Sequence, residues 1–270
     1  MLCEKVRGVF FRDRLRAGAT LRGVIAVIPS AVATQAMAAA GADFVMVDRE
    51  HGPIGRESLH AMIAATAGTG CAPLVRVPAI DAAEVKLALD AGAEGVVFPL
   101  VRTPADAERC VALMTYPPEG ARGWGPMVAH SRHGTTLAGY ADEVGPHVTC
   151  CLLLETAEAV EDVDAILAVP GVDLAVVAPF DLSAALRSAV RATPASGTRR
   201  TAAARSIAAT ASTKAAASNR PGTPRAVLRS YGARIARSMP STARIASAFS
   251  TASTVSRSTQ HVRCGATSSA

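Results

Sequence analysis

A chain of 270 residues, half of them hydrophobic, is long enough for one large α/β domain, since a single α/β barrel takes about 250 residues. No apolar run approaches a membrane span, and the start, MLCEKVRGVFFRDRLRAG, spreads charges where a secretory signal needs an apolar segment, so a soluble, cytoplasmic protein is expected. The net charge of +6 averages two unlike parts: residues 1–186 hold all 22 acidic residues against 14 Lys and Arg (−8), and the last 84 residues hold 13 Arg, one Lys and no acid (+14).

From residue 23 onward, short apolar runs alternate with segments of helical period. The strand-like runs are GVIAVIP (23–29), DFVMVD (43–48), PLVRVP (73–78), GVVFPLV (95–101), TCCLLLE (149–155) and LAVVAP (174–179). Between them TQAMAAAG, RESLHAMIAATAG, AEVKLALDAG, PADAERCVALM and AEAVEDVDAIL read as helices, several closed by Gly. Strands apolar on both faces and separated by helices predict a parallel sheet covered on both sides. This gives six βα steps of a TIM-type (β/α)8 barrel, with a doubly wound open sheet as the competing architecture. One connection is long, Tyr116 to Val148, and is either a functional insertion or a mobile surface loop. Six cysteines, Cys3, Cys71, Cys110, Cys150, Cys151 and Cys264, without CxxC or zinc spacing, fit reduced buried thiols.

After Leu186 the periodicity disappears into Ala, Ser, Thr and Arg, with no apolar run of strand length. Residues 1–186 therefore read as a barrel portion and 187–270 as a basic low-complexity tail, disordered or poorly helical. Three origins compete. A GC-rich coding sequence read out of frame from about codon 187 yields such a composition. A native basic tail would attract nucleic acid, although only Tyr231 and Phe249 offer stacking, and the third origin is an unfamiliar barrel closure.

Catalytic groups of a parallel barrel sit at strand ends and in the loops after them. Those positions hold Asp48, then Glu50 and His51, Arg76, Glu155 and Asp181. Two carboxylates from neighbouring strands, Glu155 and Asp181, suit a hard divalent cation, and His51 and Arg76 supply a proton carrier and an anion clamp. Each has a plainer alternative: Glu155 and Asp181 as helix caps, His51 as a turn residue, Arg76 as a partner for Asp48.

DFVMVDREHGPIG, PLVRVP, LALDAGAEGVVFPLVRTPADAERCV, YPPEGARGWGP, LLLETAEAVEDVDAILAVPGVD and APFDLSAAL, in this order, resemble the HpcH/HpaI aldolase family over residues 5–186. The resemblance implies a modified (β/α)8 barrel and a metal-dependent class II aldolase that cleaves a 4-hydroxy-2-oxo acid to pyruvate and an aldehyde. It implies Glu155 and Asp181 as ligands of Mg or Mn, Arg76 as donor to the keto oxygen, and His51 as general acid/base. Asp90 corresponds to the acidic partner of that histidine and, lying at the end of a helix just before the fourth strand, would act from a neighbouring subunit of a homo-oligomer. The backbone at Ala178, Pro179, Phe180 and Asp181 would bind the substrate carboxylate, with bulky Phe180 where the family has a small residue. Ile25 stands where some members carry an aromatic. A citrate-lyase-like acyl lyase and a non-enzymatic protein with a basic tail are the alternatives. With no seventh or eighth strand readable, the open barrel is expected to turn over poorly or not at all.

Overall fold

The computed structural model describes residues 9–178 and 180–185, together with the backbone of 244–246. The six apolar runs form β1 (Gly23–Ala26), β2 (Phe44–Asp48), β3 (Ala72–Arg76), β4 (Gly95–Phe98), β5 (Thr149–Leu154) and β6 (Leu174–Val177). They pair in parallel and strictly in chain order, which is the order of a barrel wall; a doubly wound sheet reverses direction at a switch point. The helices are α1 (Phe11–Arg16), α2 (Ala31–Ala39), α3 (Arg56–Ala64), α4 (Ala82–Asp90), α5 (Pro104–Met114), α6 (Ala129–Arg132), α7 (Tyr140–Glu143), α8 (Ala157–Glu161) and α9 (Val163–Leu167). The predicted helix AEAVEDVDAIL is thus two, divided at Asp162.

Strand residues alternate between two cores because successive side chains leave a strand on opposite faces. Val45, Val47, Val75, Val96, Cys150, Leu152, Leu154 and Ala175 pack outward against the helices. Phe44, Met46, Ala72, Leu74, Val97, Cys151, Leu153, Leu174, Val176 and Ala178 form the inner core of the barrel. Both faces are buried, which is why the runs read as continuously apolar. Phe11 and Leu15 of α1 join this inner core. Around them, Phe11 N donates to Glu94, Arg12 pairs with Asp173 at 2.7 Å, and Arg14 pairs with Asp43. Glu94, Asp173 and Asp43 each immediately precede a strand, so α1 plugs the N-terminal mouth and the opposite rim is left for a site. Cys71, Cys110, Cys150 and Cys151 are free and buried, and burial pushes the Cys110 thiol up to about 12.

Two expectations change. The Tyr116–Val148 connection is not structureless: it carries α6, α7 and a 3-10 turn at Gly145–His147. It joins a helix to the start of a strand, so its contacts lie at the N-terminal side of the wall. Arg132 donates to the carbonyls of Gly92 (2.9 Å) and Ile63 (3.2 Å), and buried Tyr140 donates to the Leu89 carbonyl. The second change is in the tail. β7 (Arg244–Ala246) pairs in parallel with β6, where the composition predicted no strand. Backbone hydrogen bonding along the open edge of β6 needs no side-chain periodicity, so a three-residue strand leaves no mark in the sequence. Among the described residues β1 pairs only with β2, and the wall is not closed.

Candidate functional site

Face alternation assembles the site. Asp48 continues the inner series Phe44 and Met46, Arg76 continues Ala72 and Leu74, and Glu155 continues Cys151 and Leu153. All three side chains leave the C-terminal ends of their strands on the inner face. Asp48 and Arg76 are also register partners across β2 and β3. Arg76 Nε donates to Asp48 Oδ1 at 2.8 Å and Nη2 to Oδ2 at 2.5 Å, a two-pronged pair in which Asp48 is 1% exposed. The plainer reading of Arg76 therefore holds in part, but Nη1 turns the other way, to within 3.3 Å of Glu50 Oε2.

The DREHGP turn is tied to the same carboxylate. Asp48 Oδ1 accepts from the amides of Glu50 (3.1 Å) and His51 (3.3 Å), while Arg49 pairs with Glu84 of α4. Gly52 makes the tightness possible: a Cβ there would lie 2.3 Å from the Asp48 carbonyl oxygen. His51 emerges exposed, with Nε2 3.7 Å from Glu50 Oε2. That oxygen is buried and accepts no hydrogen bond.

Burial raises the Asp48 carboxyl, but hydrogen bonds and charge from Arg76, with the two turn amides, outweigh it and hold the group below its ordinary range. Glu50 goes the other way: burial raises it, Arg76 and His51 offset only part, and the nearby Glu155 and Asp48 charges add to the rise. Burial alone would lower Arg76, yet the Asp48 pair and the Glu50 and Glu155 charges raise it and keep the guanidinium charged.

Glu155 is buried, and its Oε1 accepts from the Leu100 amide at 2.5 Å. Leu100 adopts φ 56°, a left-handed conformation unusual for a residue with a side chain, at the end of β4. Glu155 does not cap α8; Thr156 does, accepting from Ala159 N at 3.1 Å. Asp181 is exposed and lies within a helical stretch described over 180–185, so it is not the cap of a helix beginning at Leu182. Phe180 is also exposed, and Pro179 lies outside the described residues. No group of three or more His, Cys, Asp or Glu side chains is placed to hold a metal among the described residues. The expected pair, Glu155 and Asp181, follows the adjacent strands β5 and β6.

Asp90 stands apart. It ends α4, five residues before β4, at the N-terminal side of the wall, whereas His51 follows the C-terminal end of β2. There it accepts from Arg122 Nη2 at 2.8 Å; Arg122 is buried over the rings of Tyr116 and Tyr140. Within one chain it does not meet His51. Asp48 and Glu50, which the sequence placed at a strand end without a role, are the groups that do.

Residues 28–220 match the family model described as HpcH/HpaI aldolase/citrate lyase. The match runs past Leu186, where the sequence motifs end. A hydroxypyruvate/pyruvate aldolase of Sagittula stellata is 36% identical over 174 residues, 64% of this chain and 68% of that one. A 2-dehydro-3,6-dideoxy-6-sulfogluconate aldolase of Pseudomonas putida is 40% identical over 154 residues, 57% of this chain and 60% of the relative. The chain thus spans about two thirds of the length of the curated relatives it matches. A solved HpcH/HpaI aldolase/citrate lyase family protein from Burkholderia cenocepacia superposes with a TM-score of 0.62 at 33% identity, covering 76% of this chain and 80% of that one.

Proposed function

Because the chain belongs to the HpcH/HpaI aldolase/citrate lyase family, we propose that it carries the chemistry of a class II aldolase, cleaving a 4-hydroxy-2-oxo acid to pyruvate and an aldehyde. The observation that carries this reading is the Asp48–Arg76 pair on the inner C-terminal rim, with Glu50, His51 and Glu155 gathered around it. Arg76 is held by two bonds to Asp48, so its Nη1 is presented without freedom to swing, as a preorganised donor for charge developing on a keto oxygen. His51 is exposed at the rim and free to exchange protons with a substrate hydroxyl. In the cleavage direction it takes the proton of the C4 hydroxyl as the C3–C4 bond breaks. The bonding electrons pass into the enolate, the aldehyde leaves, and the same proton returns to C3 to give pyruvate.

Glu155 and Asp181 are oxygen donors on adjacent elements, which fits a hard cation such as Mg or Mn that keeps sites for water and substrate. Such a cation would supply Lewis-acid polarisation of the 2-oxo acid. The buried Glu155 oxygen already fixed by the Leu100 amide would be the better ordered of the two ligands. Backbone at 178–181 would receive the substrate carboxylate, and the assembly would be a homo-oligomer.

The test is pyruvate release from 4-hydroxy-2-oxo acids, followed by coupling to a lactate dehydrogenase. Turnover is expected with Mg or Mn, to vanish with EDTA, and to fall at least about a hundredfold in Arg76→Ala and in His51→Ala. Activity that survives EDTA or both substitutions contradicts the assignment. We infer that the wall, not closed among the described residues, keeps turnover low, with a tail read out of frame as our explanation. Translating codons 180–195 in all three frames tests that explanation: a recognisable seventh and eighth βα unit in another frame supports it, and none in any frame overturns it.

A further inference from the structure

We propose that the backbone amide of Leu100 positions Glu155 for a divalent cation and thereby sets how tightly the cation is held, an inference that rests on the aldolase reading and its Glu155–Asp181 ligand pair. The starting point is a strained peptide. Among the described residues Leu100 alone, glycines aside, has a positive φ, at 56°. Left-handed backbone brings the Cβ of an L residue too close to the following carbonyl oxygen, so it persists only where the surroundings impose it. Burial of the side chain does not impose it: Leu100 is 49% exposed, while Phe98 and Val101 on either side are fully buried.

What the conformation does is aim the N–H. β4 ends at Phe98, register partner of Leu152, and a continued ladder would bring Leu100 opposite Leu154. The Leu100 N–H instead donates to Glu155 Oε1 at 2.5 Å, a short charge-assisted bond from the end of β4 to a carboxylate just past β5. Other donors nearby are engaged elsewhere: Arg76 with Asp48 and Glu50, and the first-turn amide of α8 at Ala159 with Thr156.

The consequence is a ligand ordered in advance. With Oε1 tethered, the carboxylate cannot turn freely about its last bond, and Oε2 is the oxygen offered to a cation. A cation that meets Glu155 already in place does not have to order it, and hydrogen-bond partners of ligating groups typically contribute about 10–100-fold to metal affinity. The strain at Leu100 is the local cost of a bond that acts at the site, and the residue is a positioning one: it works through Glu155 and touches no reacting atom.

The test alters the peptide and spares the side chain. In the full chain Leu100 is exchanged for its α-hydroxy acid counterpart, whose ester keeps the shape and deletes the N–H, and manganese binding is read from the electron paramagnetic resonance of the free ion. The ester should weaken the manganese Kd about tenfold or more, whereas Leu100→Gly, which retains the amide and takes a positive φ freely, should stay within about threefold of the unsubstituted chain. An ester that binds manganese as tightly as the unsubstituted chain overturns the proposal. So does a loss in Leu100→Gly equal to that of the ester, which assigns the effect to the side chain. The bond is also read without metal: measured against the amides of β4, hydrogen exchange at the Leu100 N–H should be about tenfold or more faster in Glu155→Ala, and equal exchange overturns the proposal. If no form binds manganese or releases pyruvate, the aldolase reading falls and the cation role of Leu100 with it, while the exchange rates still decide whether its amide holds Glu155.

Discussion

Asp48 gives the site its rigidity, and its energetics are those of a buried ion pair. With the carboxylate 1% exposed and both oxygens taken by Arg76, removing its charge leaves the guanidinium with Glu50 as a more distant counter-ion. Loss of one partner of a buried pair costs about 3–5 kcal/mol. Asp48→Asn is therefore expected to lower the urea midpoint clearly, with an unchanged m-value, in a denaturation series on both proteins. The pH dependence follows in sign. Asp48 is held below its ordinary range in the fold, so its contribution is fully present above the unfolded value and is lost as pH falls through the folded one. Glu50 is raised, so its contribution is greatest in acid and is lost as pH rises through its folded value; the two neighbours oppose each other. The positions of Asp48, Glu50, His51, Arg76 and Glu155 were legible because strand ends can be read from apolar runs. Of the pairings, only Arg76 with Asp48 was offered by the sequence; the ties of Glu50, His51 and Glu155 were not, because they depend on register and on which face a residue takes, and one residue of slip reverses both.

Elements were legible in proportion to their length. Strands β1 to β6 and helices α2 to α5 repeat an apolar period often enough to be seen, whereas α6 and α7, of four residues each, complete barely one turn and carry no period at all. What fixes them is tertiary: Arg132 reaching the ends of α3 and α4, and Arg122 lying over Tyr116 and Tyr140. His133 sits in this connection between Phe10 and Tyr140. Burial first, then the charge of Arg132, lowers its pKa from 6.5 to about 4, against a smaller opposing contribution from Gly92. A histidine depressed in the fold favours folding at and above the unfolded pKa, and that contribution is lost as pH falls from about 6.5 toward about 4. The melting temperature is accordingly expected to drop with pH across that interval, and His133→Phe to flatten the slope while keeping the ring contacts. An equal slope in both proteins would assign the acid sensitivity to another group.

For the molecule as a whole, the decisive property is that the wall is not closed among the described residues. The sequence anticipated no further strand after Leu186, since a part with a charge of +14 and no acidic residue carries no apolar run of strand length; most of that part lies outside the described residues. It did not disclose β7, which pairs in parallel with β6. On the other side, β1 has no second partner among the described residues, and Val24 (40%), Val27 (46%), Ile28 (63%) and Val32 (77%) are exposed along it and just beyond it. An unpaired parallel edge beside exposed aliphatic side chains is a template for association with another chain. A lysine on such an edge opposes that association through charge and hydration, and Val27 is a suitable carrier because it follows the paired residues of β1 and removes none of the inner core. Val27→Lys should raise, severalfold, the protein concentration at which light scattering begins, with the far-ultraviolet circular dichroism unchanged. If both proteins scatter from the same concentration, association runs through another surface, and the exposed apolar loop at Trp124, Met127 and Val128 becomes the next one to substitute.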